Sequence, residues 1–128
     1  MTLVQTLPWV AGIAVALLLA FLTSRDGKLG AGAWRIPAAL SVAFLLWSLY
    51  AAFYEGVTGF WPEHTRNLWG NQIWFDLLLA ATIGWWLILP RARAVGMQTW
   101  GWLVAVLATG SIGFLAMLAR VLFLEERR

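Results

Sequence analysis

The sequence contains no cysteine and a single histidine, His64. Without cysteine there can be no disulfide, thiolate metal site, iron–sulfur cluster or nucleophilic thiol. One histidine also excludes multi-histidine metal sites and bis-histidine haem ligation within one chain. Glycine-rich phosphate loops, serine-hydrolase elbows and metal-binding histidine pairs are missing as well. The sequence therefore provides no catalytic residue, no metal-ligand set and no motif for an intrinsic cofactor.

Charge is scarce too. Only 12% of the 128 residues are charged, whereas 62% are hydrophobic. A soluble domain of this size could not bury so much apolar surface, and the same composition excludes intrinsic disorder. The net charge is +3, but the basic residues stand singly between apolar segments. This pattern is typical of membrane topology and not of nucleic-acid binding. We expect an integral membrane protein whose partner is the lipid bilayer.

Four apolar stretches are each close to the length of about 17–25 residues that a helix needs to cross a bilayer. Backbone groups in lipid must be satisfied within the segment, so we predict helices. Pro8 and Pro37 are expected in the first turns of their helices, and Pro90 at the end of the third. The predicted fold is all-α, a single four-helix transmembrane domain over residues 1–128 with short loops. Its spans are 8–23, 36–54, 73–89 and 100–124.

Ten tryptophans support this division of the chain. Tryptophan favours the membrane–water interface, where its ring is apolar and its N–H can remain hydrated. Only Trp47 falls near the centre of a predicted span. Most of the others lie at or outside span ends, namely Trp9, Trp34, Trp61, Trp69, Trp74, Trp100 and Trp102.

The positions of the basic residues predict an orientation. In a four-span chain the first and third loops share one side of the membrane, and the middle loop shares the other side with both termini. The first side holds five basic residues and the second holds three, so the positive-inside rule puts the first side in the cytoplasm. Both termini would then be periplasmic. The five are Arg25, Lys28, Arg35, Arg91 and Arg93, and the three are Arg66, Arg127 and Arg128.

Two charged residues fall inside predicted spans, Asp76 in the third and Arg120 in the fourth. In an antiparallel hairpin of these two helices, both would lie towards the periplasmic end, and their side chains would lean towards each other. A charge in the membrane is costly, so such a pair is expected to face the bundle interior. The two residues could form a structural salt bridge, could extend their charged groups to the membrane interface, or could have a role in ligand binding or proton movement.

The connection between the second and third spans is the most polar part of the chain. It is about as long as loops that carry function, and it would share the end of the bundle with Asp76 and Arg120. A glutamate and a histidine near an aspartate could perform acid–base chemistry, or the loop could simply be anchored at the interface by its tryptophans. The candidate ligand-binding residues are Glu55, Glu63, His64, Arg66, Asp76 and Arg120.

Several short motifs occur in the second half of the chain. Phe75-Asp76 opens one span and Trp100 the next, and these are followed by Gly110-Ser111-Ile112-Gly113 and by Leu124-Glu125-Glu126-Arg127. Over about residues 70–128 the chain resembles an uncharacterised family of small bacterial multispanning membrane proteins, a domain of unknown function. The resemblance implies an all-helical membrane hairpin in a bacterial inner membrane, and it implies no activity.

Two functions remain open. Small residues recur at helical spacing on every span, for example at Gly12, Ala16 and Ala20, and such faces pack against other helices. The first hypothesis is a non-catalytic accessory or assembly subunit of a larger photosynthetic or respiratory membrane complex, in contact with other subunits or with itself. The alternative is a binder or isomerase- or cyclase-like enzyme for an apolar lipid, isoprenoid or quinone. A carotenoid-like pigment is a further possible ligand at the periplasmic end of the bundle.

Overall fold

The computed structural model describes residues 1–27 and 29–128. Lys28, which the sequence analysis assigns to a cytoplasmic loop, lies outside the described residues. The described residues form helices and no strand, in two compact units, residues 1–31 and 32–128. The helices are α1 (Leu3–Thr23), α2 (Arg35–Glu55), α3 (Phe60–Thr65), α4 (Leu68–Ala94), α5 (Thr99–Thr109) and α6 (Ser111–Glu126).

The first unit consists of α1 and the residues that flank it. The helix begins at Leu3, earlier than the predicted residue 8, because Thr2 and Gln5 form a capping box. The Thr2 hydroxyl accepts the Gln5 N–H at 3.3 Å, and the Gln5 side chain accepts the Thr2 N–H at 2.9 Å. This box satisfies two backbone donors that a helix start leaves open. Pro8 therefore lies inside α1, and none of the residues of α1 is buried.

Three helices are long and apolar enough to cross a membrane, namely α1, α2 and α4. They correspond to the first three predicted spans, so the all-α fold and the apolar character expected of a membrane protein are confirmed. The helix α2 differs from its predicted span by one residue at each end.

The helix α4 is longer than the predicted span at both ends. It starts at Leu68 because the Asn67 side chain caps it by accepting the Gly70 N–H at 2.7 Å. The prediction that Pro90 ends this helix is wrong. Proline removes its own N–H bond and crowds the carbonyl four residues earlier, but the helix nevertheless continues to Ala94. Gly96 lies just beyond the end of the helix, and its φ of +74° is a left-handed conformation suited to glycine.

The predicted fourth span is not one helix. The chain breaks at Gly110, with φ +62° and ψ −125°, into α5 and α6. The two helices fold back on each other, since a Cβ on Gly113 would lie 2.8 Å from the Ala105 carbonyl oxygen. The Thr109 hydroxyl joins them by donating to that carbonyl oxygen at 2.7 Å and accepting the Gly113 N–H at 2.9 Å. At about 1.5 Å per residue, α5 spans about 16 Å, roughly half the apolar thickness of a bilayer.

The reversal at Gly110 makes α6 run parallel to α4. Near its start, Phe114 packs against Trp85 and faces Gly84, and near its end Glu125 binds Arg91. The helix α6 is antiparallel to α2, because the Ser41 hydroxyl donates to the Ile112 carbonyl at 2.8 Å while Trp34 packs against Phe123.

The second unit therefore has two distinct ends. The start of α2 and the ends of α4 and α6 lie at one end, called the basic end below. The end of α2, the helix α3 and the start of α4 lie at the other, called the acidic end. The prediction that residues 127–128 share an end with the connection between α2 and α4 is wrong. The hairpin formed by α5 and α6 brings these two residues back to the end of α4. There the Arg128 guanidinium donates to the Ala94 carbonyl.

The buried core of the second unit lies between α4 and α6. Ala92, Met117 and Val121 have no exposed surface, and Ile88 is nearly buried. The side chains packed around them include Trp102 of α5, which places the start of α5 beside the end half of α6. The full set of surrounding side chains is Trp85, Met97, Trp102, Phe114 and Leu118.

Candidate functional site

The acidic end is organised by close packing of α3 against the first turn of α4. Gly70 lies so close that a Cβ there would collide with the Glu63 carbonyl oxygen. The Asn71 side chain donates to the His64 carbonyl at 2.7 Å. A glycine followed by an asparagine thus holds the short helix, which was not predicted, against the longer one.

Trp74 is the centre of an aromatic cluster at this end. Its ring lies 5.0 Å from the His64 ring, 5.9 Å from Trp61 and 6.4 Å from Phe60, measured between centroids. These separations are typical of favourable aromatic pairs. The His64 side chain therefore packs on an aromatic surface between α3 and α4.

Three other candidate residues of this end are exposed. Glu63 and Arg66 form an ion pair at 2.8 Å, with 58% and 67% of their side chains exposed. Pairs this exposed contribute little to stability. Glu55 is the last residue of α2 and is exposed as well. These three residues and His64 lie at the same end of the unit.

The remaining two candidates are not brought into this group. Asp76 is exposed and follows Trp74 by two residues, so it lies on the opposite side of α4 from α3. Arg120 lies towards the basic end, because α6 runs parallel to α4 and not antiparallel to it. Its guanidinium carbon lies 5.7 Å from the centre of the Phe123 ring. The prediction that Asp76 and Arg120 approach each other is therefore wrong, because the chain reverses direction at Gly110.

The basic end contains the second ion pair. Arg91 binds Glu125 at two points, Nε to Oε1 at 2.9 Å and a terminal nitrogen to Oε2 at 2.7 Å. Glu126, the neighbouring acid, accepts the backbone N–H of Gly32 at 2.9 Å. Both glutamates of this end are thus engaged.

Phe123 organises a second group at the basic end. The guanidinium carbons of Arg127 and Arg120 lie 4.2 and 5.7 Å from its ring centre, and Trp34 packs edge-on at 5.4 Å. Arg35 lies over Trp34 at 5.7 Å. The sequence analysis missed this group. The signal that could have found it is the spacing of Arg120, Phe123 and Arg127, which puts all three on one side of a helix.

The two ends differ strongly in charge. The acidic end has one arginine, Arg66, and three acids, namely Glu55, Glu63 and Asp76. The basic end has two glutamates, already described, and six arginines, namely Arg35, Arg91, Arg93, Arg120, Arg127 and Arg128. The reversal of the chain at Gly110 produces this contrast in charge, because three of the six arginines belong to α6 or follow it.

The helix α2 carries an exposed apolar surface. A shallow, widely open groove of about 520 Å³ lies along one of its sides and is lined by Trp34, Arg35, Ala38, Ala39, Val42, Ala43 and Leu46. Nearer the acidic end, Tyr50 stacks on Trp47 at 5.6 Å and packs against Tyr54 at 4.7 Å. All three rings are exposed. The sequence analysis did not single out this aromatic ladder, although the spacing of its residues is helical.

Comparison with known proteins gives no functional assignment. No family model, curated protein or solved structure matches the chain. The resemblance of the second half to small bacterial membrane proteins stays a prediction. Among residues 1–27 and 29–128, no three histidine or acidic side chains converge as metal ligands.

Proposed function

We propose that this protein is a non-catalytic accessory or assembly subunit of a larger complex in the bacterial inner membrane. The observation that carries the proposal is the exposed groove on α2, where Ala38, Ala39 and Ala43 leave room for the backbone of a neighbouring helix. Membrane helices associate through such small residues, because lipid gives no hydrophobic drive between them. Photosynthetic and respiratory complexes are the candidate assemblies.

The low burial of the membrane-crossing helices supports this function. The most apolar stretches of α2 and α4 are only 11% and 6% buried, so these helices contact mostly what surrounds the chain. The aromatic ladder of Trp47, Tyr50 and Tyr54 extends the available surface of α2 beyond the groove. A subunit that packs laterally against other helices would use both parts of this surface.

The charge contrast between the two ends supports an orientation. Arginine and lysine accumulate on the cytoplasmic side of inner-membrane proteins, so we infer that the basic end faces the cytoplasm. Residues 127–128 are then cytoplasmic, which revises the periplasmic placement expected from four continuous spans. The periplasmic placement of the N-terminal residues remains part of the proposal.

The alternative function, a binder or enzyme for an apolar lipid, isoprenoid or quinone, receives less support. It requires its polar residues to converge at one site. Asp76 and Arg120 are separated from Glu63 and His64, and the Glu63–Arg66 pair is mostly exposed.

Purification in a mild detergent tests the proposal. The variant is Ala43→Leu, and the control is Ala43→Ser, which hardly changes the size of the side chain. The tagged wild-type chain should co-migrate with a larger membrane complex in a native gel. Ala43→Leu fills the groove and should release the chain as a small particle, whereas Ala43→Ser should leave co-migration intact. Migration of the wild type as a small particle that carries an extractable isoprenoid or quinone would instead favour the alternative.

A further inference from the structure

Among the described residues, Arg91 is the one arginine of the basic end that forms an ion pair. Glu125 binds Arg91, and Glu126 accepts the backbone N–H of Gly32. Among the described side chains, neither Arg120 nor Arg127 forms an ion pair. Their positive charges are therefore not neutralised by the part of the chain that the structure describes.

Phe123 contacts both guanidinium groups. The two guanidinium carbons lie no farther than 5.7 Å from the centre of the same ring. A guanidinium that packs over an aromatic face keeps its N–H donors at the edge, where they can still bind an anion. Trp34 packs edge-on against Phe123, so the aromatic base of the group joins α2 and α6.

Arg120 and Arg127 lie in the last part of α6 or just beyond it, towards the basic end. The Arg120 guanidinium carbon lies 5.7 Å from the ring centre of Phe123, which is three residues nearer that end. Long arginine side chains near a helix end can place their charge at the level of the lipid headgroups.

From these observations we propose that Arg120 and Arg127, with Phe123 and Trp34 as their aromatic base, form a binding site for the phosphodiester of an anionic phospholipid. Arginine suits this ligand because its planar fork of donors matches the geometry of phosphate oxygens. The site does not depend on whether the protein is a subunit of a complex.

The test uses the purified full chain in a neutral detergent and native mass spectrometry. Phosphatidylglycerol, phosphatidylcholine with the same acyl chains, and inorganic phosphate are titrated separately. We expect saturable binding of phosphatidylglycerol, weaker binding of phosphatidylcholine, and a loss of phosphatidylglycerol binding as salt is raised. The double variant Arg120→Gln, Arg127→Gln should bind phosphatidylglycerol about tenfold or more weakly, because each basic residue near a lipid surface contributes about fivefold.

Two further variants distinguish loss of the site from loss of folding or of charge alone. Arg66→Gln removes one positive charge from the acidic end and should change the affinity less than twofold. Arg127→Lys retains the charge but loses the planar fork of donors, so its affinity should lie between that of the wild type and that of Arg127→Gln. Equal binding of both lipids, an equal effect of Arg66→Gln, or Arg-dependent binding of inorganic phosphate in place of the lipid would each overturn the proposal.

Discussion

Arg91 and Glu125 form a two-point ion pair that joins the end of α4 to the end of α6. The pair can form only because α6 runs in the same direction as α4. It closes the core of Ala92, Met117 and Val121 at the basic end of the unit. The ion pair is thus a local marker of the hairpin made by α5 and α6.

Removal of this pair should destabilise the protein slightly. Its side chains are 46% and 34% exposed, so we expect Arg91→Gln to cost about 1 kcal/mol, near the upper end for such pairs. The measurement is thermal unfolding in detergent followed by circular dichroism. Glu63→Gln, which breaks the more exposed pair with Arg66, is the control and should cost only a few tenths of a kcal/mol. A larger effect of the control would contradict this ranking.

Gly110→Ala should damage the hairpin. At φ +62° and ψ −125° the backbone adopts a conformation that a Cβ disfavours, at a cost of about 1–3 kcal/mol. The unfolding temperature should fall. Gly12→Ala in α1 is the matched control, because a Cβ there has open space within a helix, and it should be neutral or stabilising. An unchanged unfolding temperature in Gly110→Ala would mean that the turn is not needed.

Residues 65 and 128 should lie on opposite sides of the membrane. We expect a cysteine at Thr65 to react with an impermeant thiol reagent in intact spheroplasts, and a cysteine at Arg128 to react only after the membrane is opened. The native chain has no cysteine, so no background site needs removal. Labelling of both positions in intact spheroplasts would indicate a continuous fourth span and would rule out the hairpin.

Asp76 and Arg120 should behave independently. Asp76→Asn, Arg120→Gln and the double variant form a cycle of unfolding free energies. Residues more than about 7–10 Å apart with no shared partner are additive to within about 0.5 kcal/mol. A coupling free energy clearly above this value would indicate that the salt bridge predicted from the sequence does form.

Much of the fold follows from local pattern. The apolar runs predict the helices α1, α2 and α4, and the scarcity of charge predicts their environment. Capping residues explain where helices start beyond those runs, as Asn67 does for α4. For the candidate site, the shared end of Glu55, Glu63, His64 and Arg66 could be predicted, because all four belong to one connection.

The sequence by itself determined that the chain is helical, apolar and without thiol chemistry. It did not determine the path of residues 99–126. A glycine inside a helix costs only about 1 kcal/mol relative to alanine, so Gly110 is compatible with a continuous span and with a turn. Contacts distant in sequence favour the turn, including Ser41 with Ile112 and Arg91 with Glu125. Only the tertiary structure therefore decided that Arg120 lies at the basic end and Asp76 does not.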